Sequence, residues 1–349
     1  MKILPFVFAG VVSFILTPLI YRLAPRLGAM DKPDSRKVHH TMMPRLGGVA
    51  IYGGFLAAFC WLGYFQGAYL GLFLGGTFIM LVGAVDDIKG LSPCLKLAGQ
   101  IVAASILVAF GARVEFLTHP LDGVFILGKL AIPVTIFWVV GITNALNLVD
   151  GLDGLAAGTS FIAAVTIAVV AWLHGEVAVA LLSLSLAAGI LGFLPFNFHP
   201  AKIFMGDSGS MFLGFNLAAL AVIGLTKSAT VISLFVPVVT LGLPIMDTFL
   251  AIIRRYLNRR PIFAPDKGHL HHLLLAQGLT QRQAVLIIYL VNICLGGSAI
   301  LLSVLTTAQG MLILTGLTIL TLLGLDKLGF LSWKQLAGSK SRHKSMPMS

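Results

Sequence analysis

Eleven stretches of this chain stay apolar long enough to cross a lipid bilayer, which takes roughly 20 mostly apolar residues. They run over 3–23, 46–65, 68–85, 95–111, 129–147, 155–173, 177–195, 208–226, 229–253, 283–305 and 308–326. Two kinds of connection separate them. Some are very short, such as Gln66-Gly67 and His174-Gly175-Glu176. Others, over 24–45, 86–94, 148–154, 196–207 and 254–282, are longer and rich in charge and histidine. The pattern predicts an all-α integral membrane protein of about eleven transmembrane helices. One polytopic catalytic domain over 1–331 is followed by a basic tail over 332–349. The run over 3–23 is too long for a signal-peptide core, and no small-x-small cleavage site follows it, so it is kept as the first span.

The charged connections all fall on one side of the predicted bundle. With the tail, they carry most of the 24 Lys and Arg residues, while Arg113, Lys129 and Lys227 lie in loops on the other side. The excess of positive residues in cytoplasmic loops places the charged side in the cytoplasm. The N-terminus is then outside and the C-terminus cytoplasmic, which an odd number of spans requires.

Composition agrees with the pattern. The chain has 349 residues, 58% hydrophobic and only 11% charged, against roughly 25% charged in soluble domains. The polar segments are too short for a core of their own. The net charge of +11 is explained by topology, so no nucleic-acid partner is expected. Anionic membrane lipids are expected partners, above all for the tail. Cys60, Cys94 and Cys294 are far apart and form no CxxC pair, so neither a disulfide framework nor a zinc site is implied.

Acidic residues are scarce. Of 13, all but Glu115, Asp122 and Glu176 fall in the cytoplasmic segments or at their membrane edge. Acids at the ends of apolar spans cost free energy unless paired, hydrated or bound to a cation. Asp86 and Asp87 end the third span. Helical neighbours point about 100° apart, so the two need not serve one ligand; a solvated helix end is the plain alternative. Asn144, Asn147, Asp150 and Asp153 recur every third residue at the mouth of the fifth span, spacing that brings each near the next. Four oxygen-bearing side chains there suit a hard cation and phosphate, and Gly151 and Gly154 permit close backbone approach. Phe204-Met205-Gly206-Asp207-Ser208-Gly209-Ser210 opens the eighth span. Asp207 and Ser208 can cap that helix, its free N–H groups can meet an anion, and Asp207 can ligate Mg²⁺. Phe204 can stack on a base or pack in lipid.

His269, His271 and His272 lie in the longest cytoplasmic loop, after Arg254, Arg255, Arg259 and Arg260. With no cysteine near and oxygen ligands dominant elsewhere, they point to Mg²⁺ over zinc. Histidines and arginines together suit a diphosphate, because arginine forks match phosphate oxygens; topology alone also accounts for the arginines. Arg36, Lys37, His39, His40 and Arg45 can meet a phosphate, and Gly47 and Gly48 can instead serve tight helix packing. Lys96 can reach a phosphate or snorkel. Asp247 can pair with Arg254 or line the site. All these groups on one predicted face, with an apolar surround, point to phosphoryl transfer between a water-soluble donor and a lipid acceptor.

DDIKG at 86–90, NALNLVDGLDGLAAG at 144–158, FMGDSGS at 204–210 and PDKGHLHH at 265–272 resemble the polyprenyl-phosphate N-acetylhexosamine-1-phosphate transferase superfamily, over residues from about 31 to 305. The HLHH form resembles its WecA/TagO-like branch, which places N-acetylglucosamine-1-phosphate on undecaprenyl phosphate. The phospho-MurNAc-pentapeptide transferase branch usually has three adjacent histidines, where this chain has Leu270. The resemblance implies a Mg²⁺-dependent transferase, with Mn²⁺ as alternative ion, acting on a UDP-N-acetylhexosamine and undecaprenyl phosphate and initiating cell-envelope polysaccharide synthesis at the bacterial inner membrane. It implies Asp86 as base or positioner of the acceptor phosphate, with Asp87 in the same motif. It implies Asp207 as Mg²⁺ ligand, Asp150 and Asp153 supporting metal or diphosphate, and Asn144 and Asn147 holding the nucleotide or metal shell. Phe204 would stack on uracil, Lys96 contact the nucleotide side, and His269, His271 and His272 bind the diphosphate. Arg45 is a further substrate-binding candidate, and a homodimer is left open. A secondary transporter is the rival from another class, but transporters bind at the midplane between repeats, whereas these ionisable groups crowd one face and no repeated halves occur.

Overall fold

The computed structural model describes residues 3–31, 42–118, 124–225, 235–259 and 268–327. The basic residues over 32–41, the loop over 260–267 with Arg260 and Asp266, and the tail over 332–349 lie outside them.

Among the described residues the chain is mostly helical. In order come α1 (Leu4–Leu23), α2 (Gly47–Leu62), α3 (Gly67–Lys89), α4 (Pro93–Ala109), α5 (Ala131–Val149), α6 (Leu155–Leu173), α7 (Val177–Asn197) and α8 (Gly206–Leu225). Then follow α9 (Phe235–Thr240), α10 (Gly242–Leu257), α11 (Leu270–Ala276), α12 (Gln281–Val304) and α13 (Thr307–Lys327). Seven helices are long and apolar enough to cross a membrane, and α2, α4 and part of α13 are shorter apolar helices. Helix starts follow local chemistry. Ser92 accepts the Leu95 N–H with Pro93 in the first turn of α4, and Thr280 with Gln283 forms a capping box on α12.

The expected span over 229–253 is not one continuous helix. Its described part is two helices that meet at Leu241. Pro244 has no N–H to give the Thr240 carbonyl, so the ladder breaks there. Two small antiparallel ribbons were also not anticipated: β1 (Met30–Asp31) with β2 (Met43–Pro44), and β3 (Phe116–Thr118) with β4 (Val124–Ile126).

The packing is that of a protein whose solvent is lipid. Large apolar side chains such as Val7, Phe14, Phe137 and Leu290 face outward, while α8 is buried along nearly its whole length. With no hydrophobic drive between helices in lipid, close backbone approach supplies the contact. A Cβ on Gly48 of α2 would lie 2.0 Å from the Gly209 nitrogen of α8, and one on Gly83 of α3 would lie 2.5 Å from the Asp207 carbonyl oxygen. Gly47 and Gly48 therefore serve tight helix packing, as the sequence suggests. Helices α3, α5 and α7 end, and α4, α6 and α8 begin, at one end of the bundle. The described polar groups of the Asp86, Asn144 and Asp207 motifs are gathered there.

Candidate active site

Asp87 sets the geometry of the site. Its Oδ1 accepts the Asp207 N–H at 2.9 Å and its Oδ2 accepts the Ser208 N–H at 3.0 Å. A carboxylate on the end of α3 thus caps the N-terminus of α8, where orphan N–H groups and the helix dipole favour negative charge. Gly206 permits this: its φ is +74°, and a Cβ there would lie 2.5 Å from the Asp87 carboxylate. The helix is capped from α3, not by its own Asp207 or Ser208. Arg45 fixes the outer side, donating from Nε to the Asp87 carbonyl oxygen at 3.1 Å, with Asp31 3.6 Å from its Nη1.

Asp86, the neighbour of Asp87, turns to other partners. Its Oδ1 accepts the Leu91 N–H at 2.6 Å and its Oδ2 lies 2.7 Å from Lys96 Nζ. The same ammonium meets Asp207 Oδ2, so Lys96 bridges the two carboxylates. Asn147 donates from Nδ2 to Asp207 Oδ1 at 3.0 Å and to Ser210 Oγ at 2.9 Å. Asn144, one turn deeper, is held by Gln100, donating to its Oε1 at 2.6 Å, and by the Val140 carbonyl at 2.9 Å. Four helices, α3, α4, α5 and α8, therefore meet in one polar network.

Asp150 and Asp153 follow directly. Asp153 Oδ2 accepts the Ala201 N–H at 3.0 Å and lies 2.9 Å from His199 Nδ1, tying this loop to the segment before α8. Asp150 is half-buried, and among the described residues its carboxylate takes part in no hydrogen bond or ion pair. Burial, then the negative charges of Asp207, Asp87, Asp153 and Asp31, push its pKa well above the ordinary carboxylate range.

The histidines reach the same loop. His271 Nε2 is where a Cβ on Gly151 would go, 2.6 Å away. Burial, then the neighbouring His272, lowers the His271 pKa to about 3, so this imidazole is neutral at physiological pH. His269 and His271 lie with parallel rings, centroids 5.9 Å apart, and His272 lies 4.2 Å from His271. His269 Nδ1 is 2.7 Å from Asp247 Oδ2; the pairing of Asp247 with Arg254 weighed from the sequence is not what engages its carboxylate. Phe204 is half-buried, its N–H bonded to the Pro44 carbonyl at 2.9 Å, beside Arg45 in a parallel bridge.

Among the described residues no three His, Cys, Asp or Glu side chains converge tightly enough to hold an ion alone. Asp207 and Asn147 are in direct contact, and the charge of Asp207 acts on Asp150; all three side chains carry oxygen donors. Such a set fits a hard ion like Mg²⁺, which is commonly held by one or two carboxylates with waters and substrate phosphates completing the shell. Asp150, faced by acids and with no cationic side chain paired to it among the described residues, fits the same ion.

Sequence reasoning passed over Gln100, His199 and Ser210. Gln100 had a signal, for it lies one helical turn after Lys96 on the same face of α4. Ser210 lay inside a motif already singled out. His199 had no spacing to reveal it.

Comparison with known proteins places residues 69–225 within the glycosyl transferase family 4 model. The chain is 47% identical over 302 residues to the Bacillus subtilis protein named "Probable undecaprenyl-phosphate N-acetylglucosaminyl 1-phosphate transferase", covering 86% of this chain and 84% of that protein. It is 41% identical over 313 residues to the decaprenyl-phosphate N-acetylglucosaminephosphotransferase of Mycobacterium tuberculosis, covering 81% and 78%. To the undecaprenyl-phosphate alpha-N-acetylglucosaminyl 1-phosphate transferase of Escherichia coli K12 it is 29% identical over 290 residues, covering 80% and 78%.

Proposed function

This chain belongs to glycosyl transferase family 4, and from that membership we propose that it transfers N-acetylglucosamine-1-phosphate from UDP-N-acetylglucosamine to undecaprenyl phosphate, releasing UMP. The observation that supports this most is the single network of Asp86, Lys96, Asn147 and Asp207, with Asp150 beside it, at one end of an apolar bundle. A soluble diphosphate and a lipid-borne phosphate can meet at such an end.

The acceptor phosphate oxygen bonds to the β-phosphorus of the UDP-sugar. The bond from that phosphorus to the bridging oxygen breaks, and UMP leaves with the electron pair. Phosphate monoesters have a second pKa near 6, so the acceptor is largely ionised already. Asp86 then orients more than it deprotonates, through its hold on Lys96. Lys96 offers its ammonium to the incoming phosphates. Asp207, Asp150 and Asn147 would hold Mg²⁺, or Mn²⁺ in its place, and a bound ion supplies charge neutralisation to the diphosphate and the departing UMP. His269, His271 and His272 bind the diphosphate from the opposite loop. His271 does so as a neutral hydrogen-bond donor. Asp87, Asp153, Asn144 and Arg45 act by holding the helix ends in register, and the half-exposed Phe204 ring stacks on the uracil.

Purified protein incubated with UDP-sugars and undecaprenyl phosphate tests the reading. UMP should appear with UDP-N-acetylglucosamine, and EDTA should stop it. Turnover that persists in EDTA refutes the cation, and no UMP with any UDP-sugar refutes the activity.

The proposal extends to topology: eleven crossings, the N-terminus outside, and the site and C-terminus cytoplasmic in the inner membrane. The positive-inside bias supports this. Cys60, Cys94 and Cys294 are exposed, so a cysteine-free background is needed. Ile88→Cys and Gln277→Cys should then label only from the cytosol, and Gln66→Cys only from outside. The opposite labelling overturns the orientation.

A further inference from the structure

Asp247 lies on α10, beyond the residues that the family model matches. The residue is 2% exposed, yet both carboxylate oxygens are engaged, and both partners belong to the start of α11. Oδ2 lies 2.7 Å from His269 Nδ1, and Oδ1 accepts the Leu270 N–H at 2.9 Å. His269 is itself 5% exposed. Among the described residues its Nε2 takes part in no hydrogen bond. The ring lies parallel to that of His271, which abuts Gly151 beside Asp150.

A cap for a short helix needs only the Leu270 contact. The second oxygen is committed instead to an imidazole, and a carboxylate on one ring nitrogen fixes both the orientation of the ring and the role of the other nitrogen. We propose that Asp247 is a positioning residue that acts through His269, holding its Nδ1–H so that Nε2 meets the diphosphate of the nucleotide sugar. The ligand's identity rests on the function proposed above; the placement of His269 does not. Asp247 also docks α11 on the 149–155 segment, where Leu270 and Leu274 pack with Val149, Leu152 and Leu155. A purely structural role is therefore the alternative to be separated.

The test uses the full chain in detergent with Mg²⁺ and UDP as binding probe, alongside UMP release. Asp247→Asn should weaken UDP binding and raise KM for UDP-N-acetylglucosamine by about tenfold or more, the scale of a lost hydrogen bond to a charged group. KM for undecaprenyl phosphate should not change. His269→Ala leaves Asp247 capping Leu270, so that variant should fold and show the same loss. In the His269→Ala background, Asp247→Asn should add less than about twofold, because the two act as one unit. Nitrogen-15 histidine spectra should show the His269 Nδ1 proton, altered in Asp247→Asn. Additive losses, wild-type affinity in Asp247→Asn, or equal loss toward both substrates with a lowered melting temperature would each overturn the inference. If the wild type releases no UMP but binds UDP in a manner that Asp247→Asn weakens, the proposed function fails and this inference stands. If the wild type turns over and Asp247→Asn is unaffected, only this inference falls.

Discussion

Asp207→Asn should reduce UMP release by roughly 10²–10³-fold, the scale seen when one preorganised electrostatic contact is removed from a transition state, in a protein that still folds. Asp207 is where the network converges: Lys96 meets one of its oxygens and Asn147 Nδ2 the other. Asparagine keeps the shape but loses the charge, and it turns either an amide nitrogen toward the Lys96 ammonium or two amide nitrogens toward each other. The proposed cation then loses its principal ligand. Folding should survive because α8 is capped by Asp87 and not by Asp207. Activity with a thermal melt of the same preparation checks both halves. Full activity removes Asp207 from the chemistry, and a collapsed melt shows a structural role that the geometry does not assign.

The adjacent acids of α3 should separate by a different criterion. Asp87→Ala leaves the first N–H groups of α8 buried beside an emptied position. With roughly 1–3 kcal/mol for each buried donor left unsatisfied, a loss of about 2–4 kcal/mol of stability is expected. Activity should fall with it, since Asp207 sits in the first turn of the released helix. Asp86→Asn should instead stay within about 1 kcal/mol of the wild type, because an amide oxygen can still accept the Leu91 N–H, yet lose activity by weakening the hold on Lys96. Denaturant or thermal unfolding in detergent reads the difference. Equal stability losses from the two would contradict the division of labour between capping and chemistry.

That division was half legible in the sequence. Neighbours on a helix point apart, so Asp86 and Asp87 need not serve one ligand. Which of them turned to α8 depends on the rotation of α3, and only packing through Gly83 and Gly206 settles that. The helices themselves were readable because a bilayer demands long apolar runs, and the polar residues were informative because lipid makes them costly. The break at Leu241 carried its signal in Pro244, but continuous hydropathy outweighed it. Asp247 was unreadable for another reason. Its partner lies 22 residues away on another element, whereas Arg254 offered a pairing within sequence reach. Gln100 could have been found from the helical repeat that begins at Lys96, and His199 could not, since its link to Asp153 exists only when the ends of α5 and α7 are brought together.

The claim at the centre is that one cation, held by Asp207 at the start of α8, draws the diphosphate to the lipid phosphate. The anomalous signal of Mn²⁺ in crystals grown with UDP locates that ion directly. A peak about 2.1 Å from an Asp207 oxygen, as for a hard divalent ion on oxygen ligands, with Asp150 and Asn147 around it, is the expected result. A peak among His269, His271 and His272, with Asp207 still held by Lys96, would contradict it.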